Sequence, residues 1–395
     1  MRRLQPPGKP QLVLVRYGEV ALKDSWTRSS WERLLRANIS HDLRAACIDF
    51  RMTGEGGRIY VHTADERAPS TISRVFGVVS VSPAYSVHPR ITDISELAVS
   101  IALMRSPKSF AIRSRRAGGE ISSERIAVEV GAAVQRATGA DVDLDNPELE
   151  IFVEARPERA LVFTEIMRGV GGLPLGSQSR MLALISGGID SPVAAWLIMR
   201  RGSPVSLLHF DASPYADSRE QVIRQAEILQ SWMSGRRLDL VIVRNARAID
   251  VISSRYPRET CVLCRRLMYH VSSVVMKRLR AKGIVTGYSL GQVASQTPEN
   301  IMAEQVGIEA PVYHPLIAMD KTEIMDLARR IGTYDVSTGS KQCRAAPRKP
   351  VTKAKLDEIL RIEGELALRE LAMELADEME VVRVRKQEVS HEDAD

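Results

Sequence analysis

In "MLALISGGIDSPVAAWLIMRRG", residues 181–202, an apolar run from Met181 to Ile185 breaks into Ser-Gly-Gly-Ile-Asp-Ser and resumes as an Ala-rich segment with helical spacing. A turn that leaves a strand and opens a helix presents backbone N–H groups without partners, at the positive end of the helix dipole. Consecutive glycines, Gly187 and Gly188, let phosphate oxygens come close to that backbone. Ser186 and Ser191 add hydroxyl donors, and Asp190 is of a type that helps hold a metal ion or caps the helix. Together these residues read as an anion cradle suited to a pyrophosphate. Neither G-x-x-x-x-G-K-[ST] nor G-x-G-x-x-G occurs anywhere, so this is not a Walker or Rossmann phosphate loop.

The second group with chemistry in it is sulfur. Four cysteines do not make a disulfide framework for a chain of 395 residues. Cys261 and Cys264 form a C-x-x-C in "ETCVLCRRLMYH", ahead of an expected helix, and Cys343 lies far downstream. Three such cysteines suit a zinc site with His270 as fourth ligand, or a dithiol that reduces a persulfide formed on Cys343. Cys47 stands alone and is read as a buried thiol without a chemical role.

The elements that must position these groups follow a strand-then-helix grammar from residue 181 onward. Strands are expected at 181–185, 204–210, 239–243 and 283–287, with helices after 190, 217 and 265. That pattern predicts a parallel, doubly wound sheet, which gathers ligands at the carboxyl ends of its strands. A helical tail from 352 is expected to pack through Leu356, Ile359, Leu360, Leu366 and Leu371. Upstream, "QLVLVR" reads as a strand, "RSSWERLLRANISHDLRAA" as a helix, and "CIDFRMTGEGGRIYVHT" as two strands about a Gly-rich turn. With a helix over about 65–76, this is a β-α-β-β unit of ferredoxin-like type. Residues 77–168 then supply helix, strand, helix and two strands joined at Pro157, and 169–180 is a Gly-, Ser- and Pro-rich linker or docking loop.

Composition sets the outer limits. Hydrophobic content of 44% and charged content of 26% are globular values, and the length favours several domains. No apolar run approaches the roughly 18 residues of a membrane span, and the start carries no secretory h-region, so a cytoplasmic enzyme is expected. A net charge of +6, arginine-rich, permits a nucleic-acid partner without establishing one.

The S-G-G-x-D-S loop resembles the PP-loop of ATP pyrophosphatases, which cleave ATP to AMP and pyrophosphate. "LVRYGEVALK" (14–23), "VTGYSLGQVASQT" (285–297) and "SKQC", ending at Cys343, resemble segments of the ThiI family, the tRNA 4-thiouridine synthases. The resemblance covers nearly the whole chain. It implies an α/β multidomain protein: a ferredoxin-like domain over 1–76, a THUMP RNA-binding domain over 77–168 and a PP-loop catalytic domain over 181–350. A helical extension then occupies 351–395.

The resemblance also implies functional residues. ATP would be held by Leu184, Ile185, Ser186, Gly187, Gly188, Asp190 and Ser191, together with His209, Phe210, Arg265, Gly287 and Gln296. Asp190 would work with Mg2+. Lys108, Arg113, Arg115 and Arg116, on or beside one strand, would grip the tRNA through phosphates rather than bases. The implied reaction adenylates the 4-oxygen of uridine 8 and replaces it with sulfur. Many bacterial relatives carry the sulfur on a C-terminal rhodanese domain, for which the residues after Cys343 are too few. The resemblance therefore points to archaeal-type members, in which Cys261, Cys264 and Cys343 ligate an iron–sulfur cluster, 4Fe-4S or 3Fe-4S. An open iron would then deliver hydrosulfide, supplied as sulfide or through a cysteine desulfurase. A homodimer is also expected, one subunit's RNA-binding half serving the other's catalytic half.

Overall fold

The computed structural model describes residues 8–55, 57–118, 120–293, 296–337 and 343–384. Ala294 and Ser295, residues 340–342 of the segment ending at Cys343, and the tail from 385 lie outside the described residues. The chain divides into two compact units, Met1–Gly172 and Leu173–Asp395.

The first unit opens with β1 (Leu12–Tyr17) and α1 (Ser25–Ala45). The Asp24 carboxylate starts α1 by accepting the N–H groups of Trp26 and Thr27, and Leu35, Ile39 and Leu43 form its buried stripe. After the helix Cys47 adopts φ 55°, and its side chain is exposed rather than buried. The left-handed turn that ends the helix points the thiol outward and sends the next residue, Ile48, into the core. β2 (Arg51–Glu55) and β3 (Arg58–His62) make the expected hairpin, followed by α2 (Ala68–Ser73) and β4 (Val78–Val87).

β4 is ten residues long and runs straight through the region where a second domain was expected to begin. Through Ala84 it pairs with β1; from Tyr85 it pairs with a later strand. The remaining elements are α3 (Ile91–Arg105), β5 (Ser109–Arg116), α4 (Ser123–Thr138), β6 (Asp141–Val142), β7 (Leu149–Ala155), β8 (Ala160–Phe163) and β9 (Met167–Arg168). Ser122 caps α4 by accepting the Arg125 N–H. The strands form one sheet in the order β2-β3-β1-β4-β8-β7-β5-β6, with β9 also on β4.

The Gly-rich segment 169–180 is anchored at both ends. Gly169 and Gly171 donate backbone hydrogen bonds to Val79 and Val78, each at 2.8 Å. Leu173 and Gly176 donate instead to Arg200 (2.9 Å) and Gly202 (2.8 Å) of the second unit.

The second unit is built on β10 (Met181–Ile185), β11 (Val205–Asp211), β12 (Asp239–Arg244) and β13 (Ile284–Val285). These are the expected strands, and their mutual pairings are parallel. Helices α5 (Asp190–Arg200), α6 (Arg219–Gln230), α7 (Ala246–Arg255), α8 (Thr260–Arg278), α9 (Pro298–Gln305), α10 (Lys321–Ile331) and α11 (Tyr334–Ser337) fill the connections. The short strand β14 (Val312–Tyr313) extends the sheet beyond β13.

The tail is only partly helical. α12 (Leu356–Glu365) and α13 (Leu368–Asp377) bury Ile359 and Leu366 as expected, but Leu360 points outward. The chain then turns into β15 (Glu380–Arg383), which pairs antiparallel with β12 and covers the edge of the sheet. α8 is the core helix of this unit. Its Leu263, Leu267, Val271 and Val275 share a cluster with Leu368, Ala372 and Leu375 of α13.

Candidate active site

The carboxyl end of β10 delivers Ser186–Ile189 into the first turn of α5, with Gly187 at φ 77°. A Cβ on Gly187 would lie 2.8 Å from the Ser218 side chain, so both the turn and its surroundings require glycine. The Ser186 N–H donates to Ser191 Oγ (3.1 Å), and the two hydroxyls are 3.3 Å apart. Buried Gln225 of α6 donates to the Gly188 carbonyl (3.1 Å) and to Ser337 Oγ (2.7 Å), fixing the loop from behind. Gly287 approaches from β13 so closely that a Cβ there would lie 2.9 Å from the Ser191 nitrogen.

Asp190 is not a helix cap: Ile189 holds the N-cap position, without a side-chain cap bond. The Asp190 carboxylate instead accepts from Lys321 Nζ (2.5 Å) and Gln292 Nε2 (2.8 Å), because α10 brings Lys321 to the mouth of the loop.

A cavity of about 400 Å³ opens in front of the loop, within the usual range for small-molecule sites. Leu184, Ile185, Ser186, Gly188, Asp190 and Ser191 line one side of it, with Phe210, Arg265, Gly287 and Gln296 farther round. Gly187 and His209, both expected to touch the nucleotide, are not among its lining residues. His209 is buried at the end of β11, with Nδ1 3.0 Å from the Ile185 carbonyl, and burial lowers its pKa. It braces the strand end that leads into the loop.

Cys261, Cys264 and Cys343 line this same cavity. The C-x-x-C does not precede the helix but occupies its first two turns, because α8 already starts at Thr260. The Thr260 hydroxyl donates back to the carbonyls of Tyr256 and Pro257, both at 3.0 Å. One helical turn separates the two cysteines and turns both toward the cavity. Burial raises the Cys261 thiol pKa and pushes that of Cys264 up to about 12. Among the described residues no three His, Cys, Asp or Glu side chains are already arranged as a metal site. His270, the fourth ligand of a zinc reading, does not line the cavity and faces the Glu363 carboxylate at 3.0 Å.

Sequence reasoning missed a polar group behind the cysteines. Glu304 is fully buried and accepts the Tyr288 hydroxyl at 2.6 Å. Burial pushes the Glu304 carboxyl up to about 7, against the opposing pull of Arg265 and of the Tyr288 bond. Tyr288 stands inside the "VTGYSLGQ" segment, where its hydroxyl was one available signal. Lys321 and Gln225 carried none, since only the tertiary fold brings them to the loop.

In the first unit, the expected RNA-contacting residues lie on or beside β5. Lys108, Arg115 and Arg116 are exposed. Arg113 is already engaged, with its Nε 2.8 Å from Glu150 and its Nη2 donating to the Leu144 carbonyl at 2.7 Å.

A strand–loop–helix phosphate cradle at the carboxyl edge of a parallel sheet, sharing its cavity with cysteines, defines an enzyme of the PP-loop class. Comparison with known proteins narrows this further. Residues 176–368 match the family "Thiamine biosynthesis protein (ThiI)", residues 12–82 the ThiI ferredoxin-like domain and residues 90–165 the THUMP domain. A "Probable tRNA sulfurtransferase" of Methanosarcina acetivorans is 42% identical over 96% of this chain and 94% of its own length. A "tRNA sulfurtransferase" of Pyrobaculum aerophilum is 38% identical over 95% of this chain and 78% of its own. The crystal structure of a 4-thiouridine synthetase–RNA complex with bound ATP superposes with a TM-score of 0.83 at 28% identity, covering 95% of this chain and 99% of that one. The chain belongs to the ThiI family of tRNA sulfurtransferases.

Proposed function

We propose that the protein uses ATP to convert uridine 8 of tRNA into 4-thiouridine. The observation that carries the reading is the single cavity lined by both the phosphate cradle and three cysteines. The uracil 4-oxygen is a poor leaving group. Attack of that oxygen on the α-phosphorus of ATP breaks the α–β bond, releases pyrophosphate and leaves the base adenylated. Backbone N–H groups of the loop and the Ser186 and Ser191 hydroxyls are placed to stabilise charge developing on the departing pyrophosphate. A sulfur anion then attacks C4, and AMP departs with the oxygen.

Asp190 is a hard oxygen donor at the loop and fits a Mg2+ ion shared with the phosphates, on release from Lys321. Arg265, the only lysine or arginine among the described lining residues, is assigned to the nucleotide, as are Phe210, Gly287 and Gln296. Cys261, Cys264 and Cys343 offer three soft donors to one space, a set that fits an iron–sulfur cluster. Such a cluster would supply an open, soft coordination position for sulfide. Thiols protonated by burial must lose their protons on loading, so metal binding would release acid. A second reading, in which Cys343 carries a persulfide and the Cys261/Cys264 dithiol resolves it, draws on the same placement of all three thiols on one cavity. RNA binding is assigned to the first unit, through the exposed cations of β5. A pair of subunits, each serving the other, belongs to the same proposal.

The test incubates anaerobically purified protein with unmodified tRNA, ATP, Mg2+ and sulfide, then digests the tRNA and maps any 4-thiouridine. Thiolation at position 8 supports the reading; thiolation of a different base moves the enzyme to another substrate. A brown protein that loses its visible absorption in Cys261→Ala supports the cluster. A colourless protein that is active only with a persulfide donor supports the alternative.

A further inference from the structure

Two consecutive arginines of α8 have opposite fates. Arg266 is fully buried, pairs with Glu363 and donates to the carbonyls of Ala303 (2.8 Å) and Val306 (2.9 Å). Those carbonyls bracket Glu304, so Arg266 fastens α9 against α8 with Glu304 turned inward. Arg265 instead reaches the cavity wall, with its guanidinium carbon 4.8 Å from the centre of the Tyr288 ring.

Tyr288 joins the two. Its hydroxyl donates to Glu304 Oε2 at 2.6 Å, while its ring lies under the Arg265 guanidinium. The ring also stacks on His314, with centroids 5.0 Å apart and planes within 15°. His314 Nδ1 is 2.6 Å from Thr286 Oγ1, and Gln305 lies 2.8 Å from His314 Nε2. The tyrosine is therefore clamped at its face and at its hydroxyl. Glu304 Oε1 has no hydrogen-bond partner among the described residues. A buried carboxylate with half its capacity unused is costly as a packing element, which argues for a task.

We propose that Glu304 and Tyr288 are positioning residues for nucleotide binding, holding the Arg265 guanidinium in the cavity wall before ATP arrives. This rests on the reading above that Arg265 contacts the nucleotide. An arginine side chain has about 2 kcal/mol of rotamer entropy to lose on ordering. A platform that orders it beforehand removes part of that cost from binding. Glu304 touches no reacting atom and acts through Tyr288, whose hydroxyl it holds and whose ring lies under the guanidinium.

The test is a double-mutant cycle on the full chain, with ATP affinity measured by calorimetry and thermal midpoints recorded alongside. Glu304→Ala and Tyr288→Phe are each expected to weaken ATP roughly tenfold, while Glu304→Gln, which keeps an acceptor oxygen, stays within about threefold of the parent. In an Arg265→Ala background, Glu304→Ala is expected to add nothing. A purely structural role predicts the same loss in both backgrounds, and that result overturns the proposal. So does unchanged affinity in Tyr288→Phe, the variant least able to disturb folding. If Arg265→Ala itself binds ATP like the parent, the nucleotide assignment of Arg265 fails first, and the proposal with it.

Discussion

Lys321 Nζ lies 2.5 Å from Asp190 Oδ1, joining the first turns of two helices separated by 131 positions in sequence. The pair places a cation and a carboxylate side by side at the mouth of the phosphate loop. Incoming phosphates compete for the lysine, and a metal ion competes for the carboxylate. Asp190→Ala and Lys321→Ala should each lower pyrophosphate release by about 100-fold or more, as expected on removing a transition-state charge partner. Because Lys321 is 44% exposed, either change should move stability by less than about 1 kcal/mol. A coupled pyrophosphate assay and a thermal melt check the two halves of this expectation.

Gly287→Ala should act in the opposite sense, on structure first. Its Cβ would press on the Ser191 nitrogen at 2.9 Å and on Asp190 carbonyl carbon at 3.0 Å, both backbone atoms that yield little. Overpacking of this kind costs about 1–3 kcal/mol. Chemical denaturation should show that loss, and ATP titration should show binding weakened through displacement of the loop.

The cysteines should separate the two chemical steps. Cys343→Ser and Cys261→Ser are expected to abolish thiolation to below about 1% of the parent rate while leaving tRNA-dependent pyrophosphate release within a few-fold. Quantifying AMP, pyrophosphate and 4-thiouridine in the same reaction measures this directly. Equal loss of both steps would place the cysteines in adenylation instead.

Glu304 should leave a signature in the pH dependence of stability. Its carboxyl is pushed up to about 7 in the fold, chiefly by burial, from an ordinary 4.5. The folded state therefore holds the proton more tightly than the unfolded chain. Its contribution is fully present below pH 4.5 and is lost as the pH rises to about 7. The difference amounts to up to about 3 kcal/mol. Urea unfolding at pH 5 and pH 7.5 should show a stability drop in the parent that is absent in Glu304→Gln.

How much of this was legible in the sequence depended on periodicity. The apolar run before Ser186 and the helical spacing after Asp190 located the cradle, and the βα alternation from 181 gave the parallel sheet. β13 is shorter than the 283–287 stretch that reads as a strand, because pairing with β10 holds only Ile284 and Val285, whereas β14, two residues long, carries no period to read. β15 was hidden because the tail before it has helical spacing throughout, and its pairing exists only once β12 is in place. The C-x-x-C was read as preceding its helix, since nothing local announced that Thr260 would start α8. Cys47 looked like a core thiol because its neighbours Leu43 and Ile48 are core residues; the left-handed turn between them decided otherwise. Lys321, Gln225 and Glu304 reach the site from three separate helices, which a linear pattern does not encode.

The most direct test of the account is a structure of the full chain with a non-hydrolysable ATP analogue. The phosphates are expected within hydrogen-bonding distance of the backbone N–H groups of residues 187–191, with the base in the cavity that Cys261, Cys264 and Cys343 also line. A nucleotide seated elsewhere, with this turn unengaged, would contradict it.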